Sequence, residues 1–460
     1  MKDTAHWQRG GARVGARGMT GSVPEVSRRA VLAGAGAAVG SLLAACSIGG
    51  REGGSTSPPQ QVSGTVVHWS IARFSFLEDI GADFAGEFRA KYPSIEYVPE
   101  VVVGNRFEKL LTAAAAGSAP DVGMSGSYQV QELAASGIAR PVDEYLKQSR
   151  VVKQSDLWPA LVSDMTYKGK QYGMPFGPDV RVMYANTDVL QSAGINPQRP
   201  AQSWDELEDH VKRLYRAGDQ PRMGWGPFWG SGGRNLWLVA FWQLGGESLN
   251  KDGDQVIIDN EKGLEALEWL KRIHDLQGGW QATEEARMRG NTNQQFVNGN
   301  TGYYFATFTE RKAKQFTDVP ALKFGFTPWP LPRNGRRANY GGCHTFCITT
   351  QSKAPDAAWK LLEHLADEPN NLRFAVRFDR IPIRIKTAES QAYQQGDPFL
   401  KLAVEEMKYR RFVIPAPGGS EITGLTSAFI ADVMSGKQSI RAGLADTSAQ
   451  IQQVLDKWKR

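Results

Sequence analysis

An α/β fold built mainly on parallel sheets is what this sequence predicts, on three observations. From Gly64 onward, short apolar runs alternate with amphipathic segments in the order strand, helix, strand, helix, the order of a parallel sheet with covering helices. Later segments keep the helical spacing of apolar residues, as in Ala358, Leu361, Leu362 and Leu365 at i, i+3, i+4 and i+7. The 460 residues, 41% apolar and 22% charged, suffice for two or three domains whose cores need no disulfide or metal staple.

The elements follow in order. Thr65-Val66-Val67-His68-Trp69 reads as a strand, Ile80 to Lys91 as a helix and Ile95 to Val103 as a second strand. Phe107 to Ala116 is helical, with Phe107, Leu110, Leu111 and Ala114 on one face, and Asp121-Val122 opens another strand. Ser203-Trp204-Asp205-Glu206 is a capping box: the Ser hydroxyl and the Glu carboxylate can satisfy each other's free backbone N–H groups. Asp252-Gly253-Asp254 looks like the start of a calcium loop, but its sixth position is Ile257 instead of the turn glycine, so it reads as a hairpin turn before Val256-Ile257-Ile258. Leu264, Leu267, Leu270 and Ile273 mark a helix. Gly341-Gly342 precedes a strand through Cys347, and Leu444 to Trp458 closes the chain as a helix.

The first 45 residues are an address, not fold. They hold six basic and two acidic residues, so their net +4 leaves only +2 of the overall +6 for the rest of the chain. No basic run of five to eight residues follows, which argues against a nucleic-acid partner. Arg28-Arg29 precedes an Ala/Gly-dominated apolar stretch, Ala30 to Ala45. That stretch falls short of the roughly 20 residues that span a bilayer and reads as the apolar region of a signal peptide. The paired arginines resemble a twin-arginine signal, and Leu43-Ala44-Ala45-Cys46 resembles a lipobox, with Cys46 as the lipidated residue. Residues 46–63, rich in Gly, Ser, Pro and Gln, form a flexible tether. These features predict an extracytoplasmic body anchored by lipid to the outer face of the cytoplasmic membrane.

Little else in the chain suggests a reaction. There is no Gly-x-Ser-x-Gly, no His-Glu-x-x-His and no phosphate loop, and the six histidines show no metal-ligand spacing. Cys343 and Cys347 lie four residues apart on an expected strand, roughly 13 Å, too far for a disulfide, and His344 faces away from both thiols. They read as buried free cysteines, with no metal and no cofactor.

Several ordered stretches resemble the extracellular solute-binding lipoproteins (family 1) of carbohydrate-type bacterial ABC importers. They are Leu110 to Val122 with Gly117-Ser118-Ala119-Pro120-Asp121, Lys168 to Phe176 with Tyr172-Gly173-Met174-Pro175, Tyr184 to Leu190, Ser203 to Glu206, Pro328 to Pro332 and Ile381-Pro382-Ile383-Arg384. Ala185 stands where the family usually has Tyr. The resemblance implies a two-lobe periplasmic-binding-protein-like (type II) fold with the ligand cleft between lobes. One lobe would comprise residues 64–178 with 344–380, the other 182–342 with 384–460, and the chain would cross near 178–182, 340–346 and 380–384. It implies a non-catalytic, monomeric receptor for a sugar or polyol that serves ABC permease transmembrane subunits.

A sugar site needs aromatic faces for C–H patches and polar groups for hydroxyls. Gly224 to Gly233 places Trp225 and Trp229 among turn residues, where either one touches ligand or both pack against the lobe. By resemblance, the other candidates are Arg73 after the first strand, Ser125, Ser127 and Tyr128 after Asp121-Val122, Asp179, Gly342 with Cys343, and Arg384. Arg384 either binds ligand oxygens or forms an ion pair with a lobe. Convergence of Arg73 and Arg384 would favour a glycerophosphodiester or phosphorylated polyol; paired carboxylates meeting in space would suggest a secreted carbohydrate-active enzyme.

Overall fold

The computed structural model describes residues 62–70, 82–218, 221–226, 233–290, 292–412, 414 and 416–459. The signal segment, Cys46, Arg73 and Trp229 lie outside the described residues.

Thirteen strands are described. They are β1 (Gly64–Ser70), β2 (Ile95–Val101), β3 (Val122–Gly126), β4 (Thr166–Tyr167), β5 (Lys170–Gln171), β6 (Met174–Phe176), β7 (Arg181–Asn186), β8 (Met223–Gly226), β9 (Thr301–Thr307), β10 (Phe324–Thr327), β11 (Asn339–Tyr340), β12 (His344–Ile348) and β13 (Arg410–Arg411). Two sheets organise the molecule, one per lobe: β2-β1-β3-β12-β6 and β10-β7-β9-β8. Neither is mainly parallel. β1 runs parallel to β2 and β3, but β12 is antiparallel to β3 and β6. In the second sheet β7 is antiparallel to β10 and β9, and only β8 is parallel, to β9. Parallel pairing needs a long crossover of a dozen or more residues between neighbours. The βα units supply it for β1 to β3, and β6 runs in their direction too; β12 alone is reversed, because it enters the first sheet from its other end after the chain has built the second one.

Most expected elements are present. Ser203 accepts from the Glu206 amide at 3.1 Å and opens the helix Trp204–Leu214. The helices Arg106–Ala115, Glu261–Asp275, Pro355–Ala366 and Ile440–Lys459 lie where the apolar spacing puts them. Asp252-Gly253-Asp254 is part of a turn closed by the bridge between Leu249 and Val256.

One core lies on the first sheet alone, and a larger one runs from the second sheet into first-lobe residues such as Phe107, Leu133 and Cys347. Val66, Val122, Phe346 and Ile348 pack against Phe84, Phe88, Leu361 and Leu362 of the covering helices. The second lobe is rich in aromatics: Trp204 stacks on Trp269 at 4.1 Å, and Trp329 meets Trp269, Trp225 and Phe305 edge-on. Each fully buried large side chain contributes about 1.5–3 kcal/mol from apolar area alone. Among the described residues no helix is long and apolar enough to cross a membrane.

Candidate functional site between the lobes

Because β12 is antiparallel to β3, its first residue lies beside the last residues of β3 and β6: His344 pairs with Gly126 and with Phe176. The ends of three strands therefore meet at one edge of the first sheet, where ligands of open α/β sheets sit. Ser127 to Gln129 form a single turn there. The Ser127 N–H donates to the Cys343 carbonyl at 2.9 Å, which ties the turn to the start of β12.

The second lobe closes on this edge at Tyr128. A Cβ built on Gly419 would sit 2.2 Å from the Tyr128 carbonyl oxygen, so only glycine permits this approach. Next to it Gln129 donates to the Ser420 hydroxyl at 3.2 Å. The Tyr128 ring lies 5.7 Å from Phe412, which lies 5.2 Å from Tyr340. Phe412 also borders a hollow of about 370 Å³ lined by Ala160, Asp164, Trp242, Glu247 and Arg411. The charges in that hollow are already matched: Asp164 holds Arg410 at 2.8 Å, and Glu247 holds Arg411 and Arg336 at 2.6 Å each. It is therefore a poorer candidate than the Tyr128 edge.

Two arginines flank Tyr128. Arg106 begins the helix Arg106–Ala115 and donates to His344 Nδ1 at 3.3 Å. Arginine only donates, so this contact places the His344 proton on Nε2. Arg234 begins the helix Arg234–Gln243 of the second lobe and is 6% exposed. It donates to Asn235 Oδ1 at 2.9 Å and to the Thr423 carbonyl at 3.4 Å. Burial raises the Tyr128 pKa, while the charges of Arg106 and Arg234 pull it back down. Burial likewise lowers the Arg106 pKa.

The expected site residues divide. Tyr128 is at the seam; Gly342 lies against Asp179, to which its N–H donates. Asp179 is committed to the crossing: it pairs with Arg181, accepts from Arg380 at 3.0 Å and from the Gly342 N–H at 2.9 Å. Burial alone would push its carboxyl up; the two arginines and the Gly342 N–H outweigh that and hold it below the usual range. Ser127 donates to Asp164 at 3.1 Å, and Ser125 is fully buried within the sheet. Cys343 and Cys347 are free and buried, and burial pushes each thiol up to about 12. Arg384 takes the ion-pair alternative: it holds Asp156 at 3.2 Å and the Val151 carbonyl at 3.0 Å, away from Tyr128.

Trp225 takes the packing alternative and is not the exposed ring that a sugar platform needs. It is fully buried on β8, between Trp329 and His274. β8 is the edge of its sheet, and the buried Gln277 side chain satisfies that edge. Its amide accepts from Trp225 N at 3.1 Å and donates to Trp225 O at 3.0 Å, as a neighbouring strand would. Turn-forming glycines around Trp225 suggested a surface loop, but Gly224 serves packing: a Cβ there would meet the Val211 backbone at 2.6 Å.

Sequence reasoning missed Arg106, Arg234, Tyr340 and Phe412. A signal existed for the arginines. Both occupy the first position of a helix, where the macrodipole disfavours a cation. Among the described residues no group of three or more His, Cys, Asp or Glu is placed to hold a metal ion.

Residues 88–399 match the bacterial extracellular solute-binding protein family. A putative binding protein of Brucella abortus (strain 2308) is 26% identical over 412 residues, covering 88% of this chain and 95% of that protein. The sn-glycerol-3-phosphate-binding periplasmic protein of Salmonella typhimurium is 22% identical over 360 residues, covering 75% of this chain and 80% of its own. Among solved structures, the sugar-binding protein MalE of Xanthomonas citri superposes with a TM-score of 0.74 at 21% identity, covering 86% of this chain and 98% of that one. With a family match over most of its length and the same two-lobe fold, the chain belongs to the bacterial extracellular solute-binding proteins.

Proposed function

We propose that this chain is the non-catalytic receptor of an ABC importer, capturing a sugar between its lobes and delivering it to the membrane permease. The observation that carries the reading is the aromatic row Tyr128, Phe412 and Tyr340 at the meeting of the lobes, with guanidinium donors beside it. Ring faces suit sugar C–H patches, and arginine N–H groups suit hydroxyls. The similarity to a sugar-binding protein supports it further. Membership in an extracellular family places the chain outside the cytoplasm.

The lobes in this reading are residues 64–178 with 344–380 and 182–342 with 384–460, hinged near 178–182, 340–346 and 380–384. A ligand that touches both lobes favours the closed state by its differential affinity. Small-angle scattering with a sugar panel tests this: the radius of gyration should fall on saturation by the sugar that raises Tm. A ligand that stabilises the protein without changing its size removes the hinge.

Lipid anchoring through Cys46 and twin-arginine export belong to the same proposal. Cys46→Ser should move the protein from the membrane fraction to the soluble one with sugar binding intact. Continued membrane partitioning of that variant overturns the anchor. A receptor for a glycerophosphodiester is the second reading, favoured by the similarity to the glycerol-3-phosphate-binding protein.

A further inference from the structure

Four arginines are buried among the described residues: Arg181, Arg234, Arg380 and Arg410. Arg181 and Arg380 share Asp179, and Arg410 holds Asp164. Arg234 differs. Its hydrogen-bond partners are the Asn235 side-chain amide, the Thr423 carbonyl and the Tyr340 hydroxyl, none of them a carboxylate, and no carboxylate lies within ion-pair distance of it among the described residues. Arg106, across the seam, is half-buried and also lacks an acid: it donates to His344 Nδ1, its Nε is buried without a partner, and no carboxylate lies within ion-pair distance of it among the described residues. Glu132, the acid that bears on Tyr128 from the first lobe, accepts from the Ser420 backbone, and burial raises its pKa. It is a weak counter-ion.

Taking a cation out of water without a counter-ion is costly. Arg234 bears that cost in full and the half-buried Arg106 in part, and each guanidinium also sits at the positive end of its helix. Both helices have ten residues, enough for that field to be developed. A neutral sugar hydroxyl would add hydrogen bonds but leave the two charges uncompensated. An anion would satisfy both, and guanidinium pairs with planar carboxylate or phosphate oxygens through two parallel bonds. The two arginines come from opposite lobes, so the same anion would also favour closure.

We propose that the solute is an acidic sugar or polyol, bearing a phosphate ester or a carboxylate, and that Arg106 and Arg234 clasp that group beside Tyr128. This rests on the receptor reading and narrows its substrate class.

The test is calorimetric titration of the exported protein at low and high salt. The probes are glucose-6-phosphate, glucuronate and glycerol-3-phosphate against glucose and glycerol. Each acidic probe that binds should do so at least about tenfold more tightly than its neutral counterpart, the size of one charge-assisted hydrogen bond or more, and should weaken as salt rises. The phosphate and carboxylate arms identify which anion is preferred. Arg234→Gln should remove most of the advantage over the neutral probe and Arg234→Lys part of it. Because Arg234 is buried, Arg106→Gln serves as the second variant, being half-exposed; it should lose the same advantage with an unchanged melting temperature. Glucose binding as tightly as glucose-6-phosphate and glucuronate overturns the anion site and leaves the sugar receptor standing. Glycerol-3-phosphate binding in the absence of any sugar binding keeps the anion site and removes the sugar. Acidic probes that bind both arginine variants unchanged overturn it.

Discussion

Asp179→Ala should destabilise the protein by roughly 3–5 kcal/mol, the range for stripping one partner from a buried ion pair. The carboxylate serves three donors at the point where the chain leaves the first sheet for the second: Arg181, Arg380 and the Gly342 amide. Its removal leaves two buried cations facing each other. Gly341 packs directly against the Asp179 backbone, where an added Cβ would lie 2.1 Å from the Asp179 carbonyl oxygen. Denaturant titration gives the loss, and Asp179→Asn, which keeps acceptor capacity but not charge, should recover only part of it. The carboxyl is held below its ordinary value in the folded state. Its contribution is therefore present above the unfolded-state pKa of about 3.9 and is lost as pH falls through the folded value. The wild type should lose stability below about pH 4 more steeply than Asp179→Asn. A variant of unchanged stability but weakened sugar affinity would return Asp179 to the role the family resemblance suggested, a ligand contact.

Trp225→Ala should cost about 3–5 kcal/mol of stability, as for other large aromatics cut from a core. The ring's removal opens a void between Trp329 and His274, both of which are themselves held in place. Gln277 fixes the backbone at both sides of residue 225, so the strand cannot collapse to fill the space. Sugar affinity, measured well below the variant's melting temperature, should match the wild type. A tenfold loss of affinity with little loss of stability would mean that the ring leaves its pocket to meet ligand.

The repeating units were legible because local chemistry decides them. The Ser203 cap, the face of Phe107 and Leu110, and the spacing through Leu361 and Leu362 each encode one element without reference to the rest of the chain. Strand direction was not legible. Whether β12 runs with or against β3 depends on which end of the sheet the chain re-enters after building a second lobe, and no residue between Thr345 and Ile348 records that. The same limit governed the site. Tyr128 was found because it follows a strand, while Tyr340, Phe412 and Arg234 belong to other segments and become neighbours only when the lobes meet. The role of Trp225 was not legible for a related reason: the glycines on either side of it mark close packing as well as they mark a turn, and only the position of the helix Trp204–Leu214 distinguishes the two.

The two buried thiols have a practical consequence. At neutral pH a thiol with a pKa near 12 is ionised to the extent of roughly one part in 10⁵, and the thiolate is the form that reacts with maleimides and iodoacetamides. Cys343 and Cys347 are shielded as well as protonated. With Cys46 replaced by serine, a cysteine introduced on each lobe surface would be labelled against a silent background. Fluorophore pairs can then be attached without touching the native core, and the distance between lobes can be followed one molecule at a time as solute is added.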